Sequence, residues 1–165
     1  MEIRKAKAEN KEIVLQLLDS GREIMRHSGN TLQWPDGYPK PETIEADIAQ
    51  GVCYLCLKDG KAIGTFAMIP GPDPTYATIY NGAWIDNTHP YLVIHRMASL
   101  PDSHGIFQAC IEYAARQCCN IRIDTHRDNH IMQHNLLKHG FQYCGIIHIA
   151  NGDERLAYQR ILSHP

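Results

Sequence analysis

The stretches VIHRMASLPDSHGIFQACIEYA (residues 93–114) and IRIDTHRDNHIMQHNLLKHGF (residues 121–141) contain the patterns of two consecutive strand–turn–helix units. Each begins with a short run rich in β-branched residues. Each continues with apolar residues three and four positions apart, which is typical of a helix with one buried face. A polar turn separates the two patterns in each unit. This alternation predicts neighbouring strands of one sheet with helices packed against it.

Further strand and helix patterns surround these two units. Helices are predicted where apolar residues recur every three or four positions, and strands where short apolar runs end in Gly, Pro, Asn or Asp. Before the first unit the patterns are a strand (2–6), a helix (14–25), a second helix (41–50) and a hairpin (52–58 and 61–69); after the second unit they are two strands (141–150 and 154–162). We therefore predict one domain, residues 1–165, built on a single sheet flanked by helices.

The composition indicates a folded domain without a nucleic-acid or membrane partner. Apolar residues make up 44% and charged residues 21%, which argues against disorder. The formal charge of -2 comes from interspersed acids and bases, unlike the basic surface of a nucleic-acid binder. The apolar runs are too short for a membrane span, and the first residues have no apolar signal-peptide core. We therefore expect a cytoplasmic protein whose six cysteines are reduced thiols.

Four of the ten histidines lie within residues 123–141, which raises the question of a metal site. His130 and His134 are four residues apart, so on a helix both could face one ion. A zinc-hydrolase helix would carry Glu directly after the first histidine to act as base, whereas Ile131 stands there. The pattern favours an amphipathic helix without a metal. A metal hydrolase that uses His130 and His134 is kept as a further hypothesis.

The two predicted helix starts are candidate anion sites. The first N–H groups of a helix have no partner inside the helix and carry partial positive charge. Gly105 lies in the opening turn of the first helix, where the lack of a side chain lets a phosphate approach the backbone. Alternatively, Gly105 only relaxes a tight turn between strand and helix.

In the order of its elements, the chain resembles the GNAT superfamily of acyl-CoA-dependent N-acyltransferases. Asn129, Lys138, Gly140 and Phe141 look like the family's N…KxGF signature, and LQWPDGYP (residues 32–39) looks like a pattern in a subgroup of bacterial members. The resemblance extends over nearly the whole chain. It implies an α/β fold with a mixed, mostly antiparallel sheet of six to seven strands, about four helices, and fourth and fifth strands that splay apart.

The resemblance also implies that acetyl-CoA lies in the gap between those two strands. The end of the fourth strand would pair with the pantetheine arm, and backbone N–H groups of the following loop would hold the pyrophosphate. The implied cofactor-binding residues are Met97, Ala98 and Ser99 on the strand, His104, Gly105, Ile106, Phe107 and Gln108 after it, and Asn129 at the second helix start.

The chain departs from the family's pattern in two places. The phosphate loop usually has Arg or Gln, two residues, Gly, one residue, and then Gly or Ala. Here only Gly105 fits, and Asp102 and the bulky Phe107 occupy the other places. The tyrosine that protonates the departing thiolate in many relatives is replaced by Leu136. These departures keep open an alternative function, a catalytically weak or inactive acyl-CoA or ligand-binding module on the same fold.

Three residues are candidates for the proton transfers of acetyl transfer. An amine attacks a thioester only when it is neutral, so a base must remove its proton. His95 lies in the fourth strand, and the ordinary histidine pKa of about 6.5 suits a base at neutral pH. Asp124 ends the fifth strand, and His126 follows it by two, on the same face if the strand extends that far. For each of them the alternative is a structural polar residue that satisfies a neighbouring backbone group.

Trp34, Tyr38, Tyr80 and Trp84 stand in predicted loops rather than in periodic elements. Aromatic side chains on loops could form the walls of an acceptor pocket, or they could cover the core instead. The acceptor would be an amine of a small molecule, peptide or protein. We therefore predict an acetyl-CoA-dependent N-acetyltransferase without a metal, in which exposed strand edges near the C-terminus would allow a homodimer.

Overall fold

Within residues 1–162, seven strands form one sheet, and four α-helices pack against it. The computed structural model describes residues 1–162; the last three residues of the predicted domain, 163–165, lie outside the described residues. The strands are β1 (Glu2–Lys5), β2 (Cys53–Lys58), β3 (Lys61–Pro70), β4 (Leu92–Ser99), β5 (Asn120–Thr125), β6 (Gln142–His148) and β7 (Glu154–Ile161). The helices are α1 (Lys11–His27), α2 (Pro41–Ala49), α3 (Ile106–Ala115) and α4 (His130–Lys138). Within residues 1–162, none of the helices combines the length and apolar character needed to cross a bilayer.

The strand order is β1-β2-β3-β4-β5-β7-β6. Every neighbouring pair is antiparallel except β4 and β5, which are parallel. The first quoted sequence unit supplies β4 and α3, and the second supplies β5 and α4. The structure thus confirms the mixed, mostly antiparallel sheet that the resemblance implied.

The apolar side chains bury two faces of this sheet. On one face, α3 and α4 pack against the inward residues of the central strands, with Ile111, Ile121 and Leu136 fully buried. On the other face, the apolar stripe of α1 and part of α2 pack against β2, as the spacing of the stripe predicted. The segment 71–91 between β3 and β4 covers the part of this second face that lies over β5, β6 and β7, with Tyr76 and Trp84 buried there.

The cysteines belong to the core rather than to bridges. None of the six, all of them within residues 1–162, forms a disulfide. Cys53 and Cys56 lie in the clusters on opposite faces of β2, and burial raises the pKa of their thiols to about 11 and about 12. Thiols with such pKa values stay protonated at neutral pH and are poor nucleophiles.

The two parallel strands pair over a very short length. Leu92 pairs with Ile121 and Val93 with Arg122, and no further pair forms between β4 and β5. Beyond that point β4 stays paired with β3 as far as Ser99, and β5 stays paired with β7 as far as Thr125. The predicted splaying is therefore confirmed. It leaves backbone N–H and C=O groups along the two inner edges without a strand partner, so that solvent or a ligand must satisfy them.

A bulge in β4 lies beside this opening. His95 pairs with Ala67 and Ala98 with Thr65, so Arg96 and Met97 together stand opposite one residue of β3. Arg96 has a φ of 51°, which a residue with a side chain rarely adopts. Its guanidinium donates to both carboxylate oxygens of Asp47 on α2, at 2.8 Å and 3.0 Å. This bidentate ion pair holds the bulge against α2.

Helix α1 approaches β4 closely at Gly21. A Cβ atom on Gly21 would lie 2.6 Å from the Cβ of Ala98, well inside contact distance. The glycine is therefore required by the close packing of α1 on the strand that borders the opening.

The substitution G21A is expected to lower the free energy of unfolding by about 1–3 kcal/mol, because the added methyl overpacks the contact with Ala98. This loss outweighs the gain of up to about 1 kcal/mol from the better helix propensity of Ala. Denaturant unfolding measures the change. In G21A/A98G the clash is removed, so the double variant should be more stable than the two single effects predict. A G21A variant as stable as the parent would contradict this packing.

Candidate active site

A cavity of about 440 Å³ lies where β4 and β5 separate. Its floor is formed by the inner edges of the two strands, including Ile94, His95 and Asp124. Its walls are the loop between α1 and α2, the residues that follow β3, the start of α4, and the turn between β6 and β7. A cavity of this size suits a small-molecule ligand or the end of a larger one.

His95 and Asp124 face each other across the opening. Val93 and Arg122 form the last pair between β4 and β5, and His95 and Asp124 each come two residues later. Because side chains alternate along a strand, both point to the same face of the sheet. The Nδ1 atom of His95 lies 3.9 Å from Oδ2 of Asp124. The structure thus brings together two of the three predicted catalytic residues.

A second carboxylate, that of Asp73, holds the other nitrogen of His95. Oδ2 of Asp73 lies 3.1 Å from Nε2 of His95, and Oδ1 accepts hydrogen bonds from the N–H and the hydroxyl of Thr75. Burial alone would raise the pKa of Asp73, but the hydrogen bonds from His95 and Thr75 outweigh it and lower the pKa to about 2. Asp73 is therefore an ionised carboxylate at neutral pH.

This contact fixes the tautomer of the neutral imidazole. An ionised carboxylate only accepts hydrogen bonds, so Nε2 of His95 carries the proton that it donates to Asp73. Nδ1 is then left with a lone pair, on the side of the ring that faces Asp124. A histidine with this arrangement is oriented to accept a proton at Nδ1, and Asp73 would stabilise the imidazolium that results.

Asp124 is in turn held by Tyr76. The hydroxyl of Tyr76 donates to Oδ2 of Asp124 at 2.6 Å. Tyr76 is buried beside the cavity, and burial together with the charge of Asp124 raises its pKa well above the ordinary value. Tyr76 therefore stays protonated and acts as a donor that positions the carboxylate of Asp124.

The structure does not bring the third candidate, His126, to this group. β5 ends at Thr125, so the chain has already turned toward α4 at His126, and the same-face condition is not met. His126 is buried and is not among the residues that line the cavity. Its Nδ1 accepts from the N–H of Asp128 at 3.0 Å, and burial and the charge of Arg155 lower its pKa. His126 thus serves the turn between β5 and α4.

Of the four loop aromatics, two line the cavity and two do not. Trp34 and Tyr38 form part of its wall. Trp84 is buried, stacks on the guanidinium of Arg122 at 3.9 Å, and therefore covers the core, which was the alternative interpretation. Tyr80 is half exposed at the edge of the sheet, where its backbone pairs with Ile146. Tyr80 and Trp84 are therefore not at the cavity that the acceptor prediction required.

The predicted cofactor residues on β4 border the opening. Met97, in the bulge, lines the cavity. Ala98 and Ser99 pair with β3 through their outer edge, and the side chain of Ala98 is buried against α1. The inner edge of the strand end is free of a neighbouring strand, as pairing with an extended ligand would require.

The loop after β4 presents an open helix end. Gly105 is the N-cap of α3 with a φ of 80°, in the left-handed region that favours glycine. No side chain within residues 1–162 caps this helix. The side chains of Ile106 and Phe107 turn into the core, whereas His104 and Gln108 are exposed. The N–H groups of the first turn are thus left for solvent or an anion.

Asn129 caps α4 and holds the loop between α1 and α2. Its Oδ1 accepts from the N–H of Met132 at 3.0 Å, and its Nδ2 donates to Oε1 of Gln33 at 2.9 Å. The same oxygen of Gln33 accepts from Nδ2 of Asn30 at 3.0 Å. The predicted cofactor residue Asn129 therefore has both ends of its amide engaged within the protein.

The structure offers no support for a metal hydrolase. Residues 1–162 contain no group of three or more His, Cys, Asp or Glu side chains placed to hold a metal ion. His130 and His134 both lie exposed on α4.

The sequence patterns did not predict that several of the residues lining the cavity would lie there. Asp73 lies in the irregular segment after β3, where no periodicity predicts the direction of a side chain. Gln33 belongs to the quoted LQWPDGYP stretch, which suggested a family pattern but no contact. Arg155, on β7, is buried at the wall of the cavity although strand alternation alone does not mark it as functional.

Solved structures match the chain over nearly its whole length. A GNAT-family acetyltransferase from Streptococcus agalactiae is 33% identical, with 99% of this chain and 96% of that chain covered and a TM-score of 0.88. A GNAT-family acetyltransferase from Listeria monocytogenes is 20% identical, with coverages of 98% and 94% and a TM-score of 0.72. GphF, a GNAT-like decarboxylase solved in complex with isobutyryl-CoA, is 15% identical, with coverages of 99% and 100% and a TM-score of 0.68. No family model and no curated protein matches the sequence.

The splayed sheet and the first of these comparisons define the class of the protein as a GNAT-fold acyltransferase. The chain belongs to the GNAT family.

The lowered pKa of Asp73 predicts a pH-dependent contribution to stability. Because the folded-state pKa lies below the ordinary value of 3.8, the stabilisation is present above about pH 4 and is lost as the pH falls toward 2. D73N is therefore expected to lower the free energy of unfolding by about 1–2 kcal/mol at pH 7, with a difference from the parent that shrinks between pH 4 and pH 2. Urea unfolding at a series of pH values measures this difference.

The matched control is D19N, which removes a carboxylate that is 71% exposed and pairs with Arg22 at the surface. This variant should change stability by less than about 1 kcal/mol. A D73N deficit that stays constant down to pH 2 would show that the charge of Asp73 is not its cause.

Proposed function

We propose that the protein is an N-acetyltransferase that transfers an acetyl group from acetyl-CoA to an amine bound in the cavity. The observation that carries the proposal is the separation of β4 and β5 directly beside a histidine held between two carboxylates. Membership of the GNAT family supports acyl transfer as the reaction. The experiment is release of free CoA thiol from acetyl-CoA on addition of an amine panel.

The acyl-CoA would lie in the opening between the two strands. The free inner edge of β4 at Met97, Ala98 and Ser99 would pair with the amides of the pantetheine arm, as an added strand does. The N–H groups of residues 104–108, at the start of α3, would hold the pyrophosphate. GphF, which has the same fold, was solved in complex with isobutyryl-CoA, and this supports binding of an acyl-CoA by the fold.

The acceptor amine would enter from the side of Trp34 and Tyr38. It arrives as an ammonium ion, which the carboxylates of Asp73 and Asp124 attract. Nδ1 of His95 then takes one proton, and the neutral nitrogen attacks the thioester carbonyl carbon. The new C–N bond forms, the C–S bond breaks, and the nitrogen loses its second proton to solvent.

Leu136 stands at the position of the tyrosine that is the general acid in many members of the family. Leu136 is fully buried and cannot donate a proton. A thiolate is a good leaving group with an ordinary pKa of about 8.5, so a strong acid is not required. We propose that the imidazolium of His95 returns the proton to the thiolate. Tyr76 would act only indirectly, through its hydrogen bond to Asp124.

A second candidate is an acyl-CoA-binding module with little or no catalysis. The missing tyrosine favours it, as does Asp102, an exposed acid close to the proposed phosphate site. Both candidates predict binding of acetyl-CoA. Thiol release with the amine panel separates them, because a binding module would release none.

H95Q is expected to lower kcat by roughly 100-fold to 10,000-fold, because the glutamine cannot accept the amine's proton. The affinity for acetyl-CoA should stay within about twofold, since the side chain lies at the acceptor side of the opening. Thiol release and calorimetric binding of acetyl-CoA measure the two effects. The control H89Q changes a histidine that is 76% exposed away from the cavity, and its kcat should equal that of the parent. An H95Q enzyme with parental kcat would refute the role of His95 as base.

H104E is expected to weaken acetyl-CoA binding by roughly five- to tenfold at low salt, because it adds a negative charge at the start of α3 where the pyrophosphate would lie. The effect should shrink as salt is added. The control Q117E places the same charge just beyond the other end of α3 and should leave the affinity unchanged. Equal affinities for H104E and Q117E would place the phosphates elsewhere.

A further inference from the structure

Arg155 is a buried cation at the wall of the cavity. The residue is 6% exposed, follows the turn between β6 and β7, and lines the same cavity as His95 and Asp124. Its guanidinium donates to two backbone carbonyls, that of Glu154 at 2.9 Å and that of Gln33 at 3.4 Å. Among residues 1–162 it forms no ion pair with a carboxylate, and its other N–H groups have no acceptor.

Two other arginines of low exposure contact partners within the protein and do not present a free guanidinium to a cavity. Arg96 binds Asp47 through two hydrogen bonds. Arg122 is stacked between the rings of Trp84 and Tyr91, each 3.9 Å from the guanidinium carbon. A buried charge is costly unless it is paired, and neutral carbonyl acceptors compensate it only in part. Arg155 differs in that its free side faces a cavity.

Negative and positive side chains lie at different places in the cavity. His95 and Asp124 lie on the floor with the carboxylate of Asp73 next to them, whereas Arg155 lies in the wall beside the turn between β6 and β7. Asp153 also belongs to that turn, but it is exposed and accepts from Asn151. The floor therefore attracts a cation and the wall attracts an anion.

We propose that Arg155 binds a carboxylate of the acceptor, so that the acceptor is an amine that carries a carboxylate in the same small molecule. The inference rests on the proposed function and specifies the substrate of that site. A guanidinium binds a carboxylate through two parallel hydrogen bonds, which orients as well as attracts it. The ammonium group at the floor and the carboxylate at the wall would together place the nitrogen beside Nδ1 of His95.

The pyrophosphate of the acyl-CoA would not be the anion that Arg155 binds. The proposed pyrophosphate site is at residues 104–108, and none of these residues lines the cavity. The anion at Arg155 would then come from the molecule that enters between the turn and the loop carrying Trp34 and Tyr38.

The test compares amino acids with their own carboxamides on the full chain. Glycine, β-alanine, 4-aminobutyrate and L-alanine are each paired with the corresponding amide, so that the amine is kept while the negative charge is removed. Binding is measured by calorimetry in the presence of CoA, and acetyl transfer by thiol release. We expect at least one acid to bind roughly 10- to 100-fold more tightly than its amide.

The variants then assign this preference to Arg155. R155Q should bind the acid and its amide with affinities within about threefold of each other, and R155K should keep part of the preference because it keeps the charge. Arg160 lies on the opposite face of β7, so R160Q should keep the whole preference for the acid over its amide. In turnover the loss in R155Q should fall on KM for the acid rather than on kcat. Thermal unfolding of each variant shows whether it is folded.

The outcomes separate this inference from the proposed function. Equal binding of every acid and its amide by the parent protein, or a preference that persists in folded R155Q, would overturn the role of Arg155. Tighter binding of phosphoethanolamine than of any acid would overturn the assignment of a carboxylate, because the anion bound by Arg155 would then be a phosphate. A preference that depends on Arg155 without any thiol release would support the carboxylate site while refuting acetyl transfer.

Discussion

The backbone pairing between β4 and β5 stops after two residue pairs, and the rest of the site depends on that limit. Because both strands remain paired on their outer sides, the sheet stays intact while its inner edges open. The register of the last pair then determines which side chains meet across the opening. It places His95 opposite Asp124, and the bulge at Arg96 and Met97 lies directly beyond them. One break in a hydrogen-bond ladder thus creates an opening in the sheet and places a pair of polar residues at its side.

The two carboxylates at this opening are held in place by residues outside β4 and β5. Asp73 comes from the segment after β3 and is held by Thr75, while Asp124 is held by a buried tyrosine from the same segment. The histidine between them is therefore oriented by groups that are themselves fixed by the protein. Such support keeps a side chain in one position, which the proposed proton transfer would require.

The sequence predicted those parts of the structure that follow from local patterns. Apolar spacing predicted the helices and strands, and the positions of His95 in the fourth strand and of Asp124 at the end of the fifth made them candidates. Alternation failed at His126, because the end of a strand depends on where its partner strand stops pairing. Trp84 was ambiguous for a related reason. An aromatic residue on a loop covers the core or lines a pocket depending on the neighbour that it meets, here Arg122, 38 residues further along the chain.

Asp73, Gln33 and Arg155 show a second limit of sequence reasoning. They come from a loop, another loop and a strand that are far apart in the chain, and the cavity exists only after the sheet has brought them together. No local periodicity predicts such a meeting. The bulge at Arg96 is equally hidden, because its positive φ is stabilised by an ion pair with a helix about fifty residues earlier.

The contrasting settings of the two tryptophans have a practical consequence. Trp34 lines the cavity, whereas the indole of Trp84 is stacked on a guanidinium and donates its N–H to the carbonyl of Tyr76. Only the first indole borders the space that a ligand would fill, so binding would change the fluorescence of Trp34 rather than that of Trp84. The second indole supplies an internal reference that responds to unfolding alone, and neither requires a label.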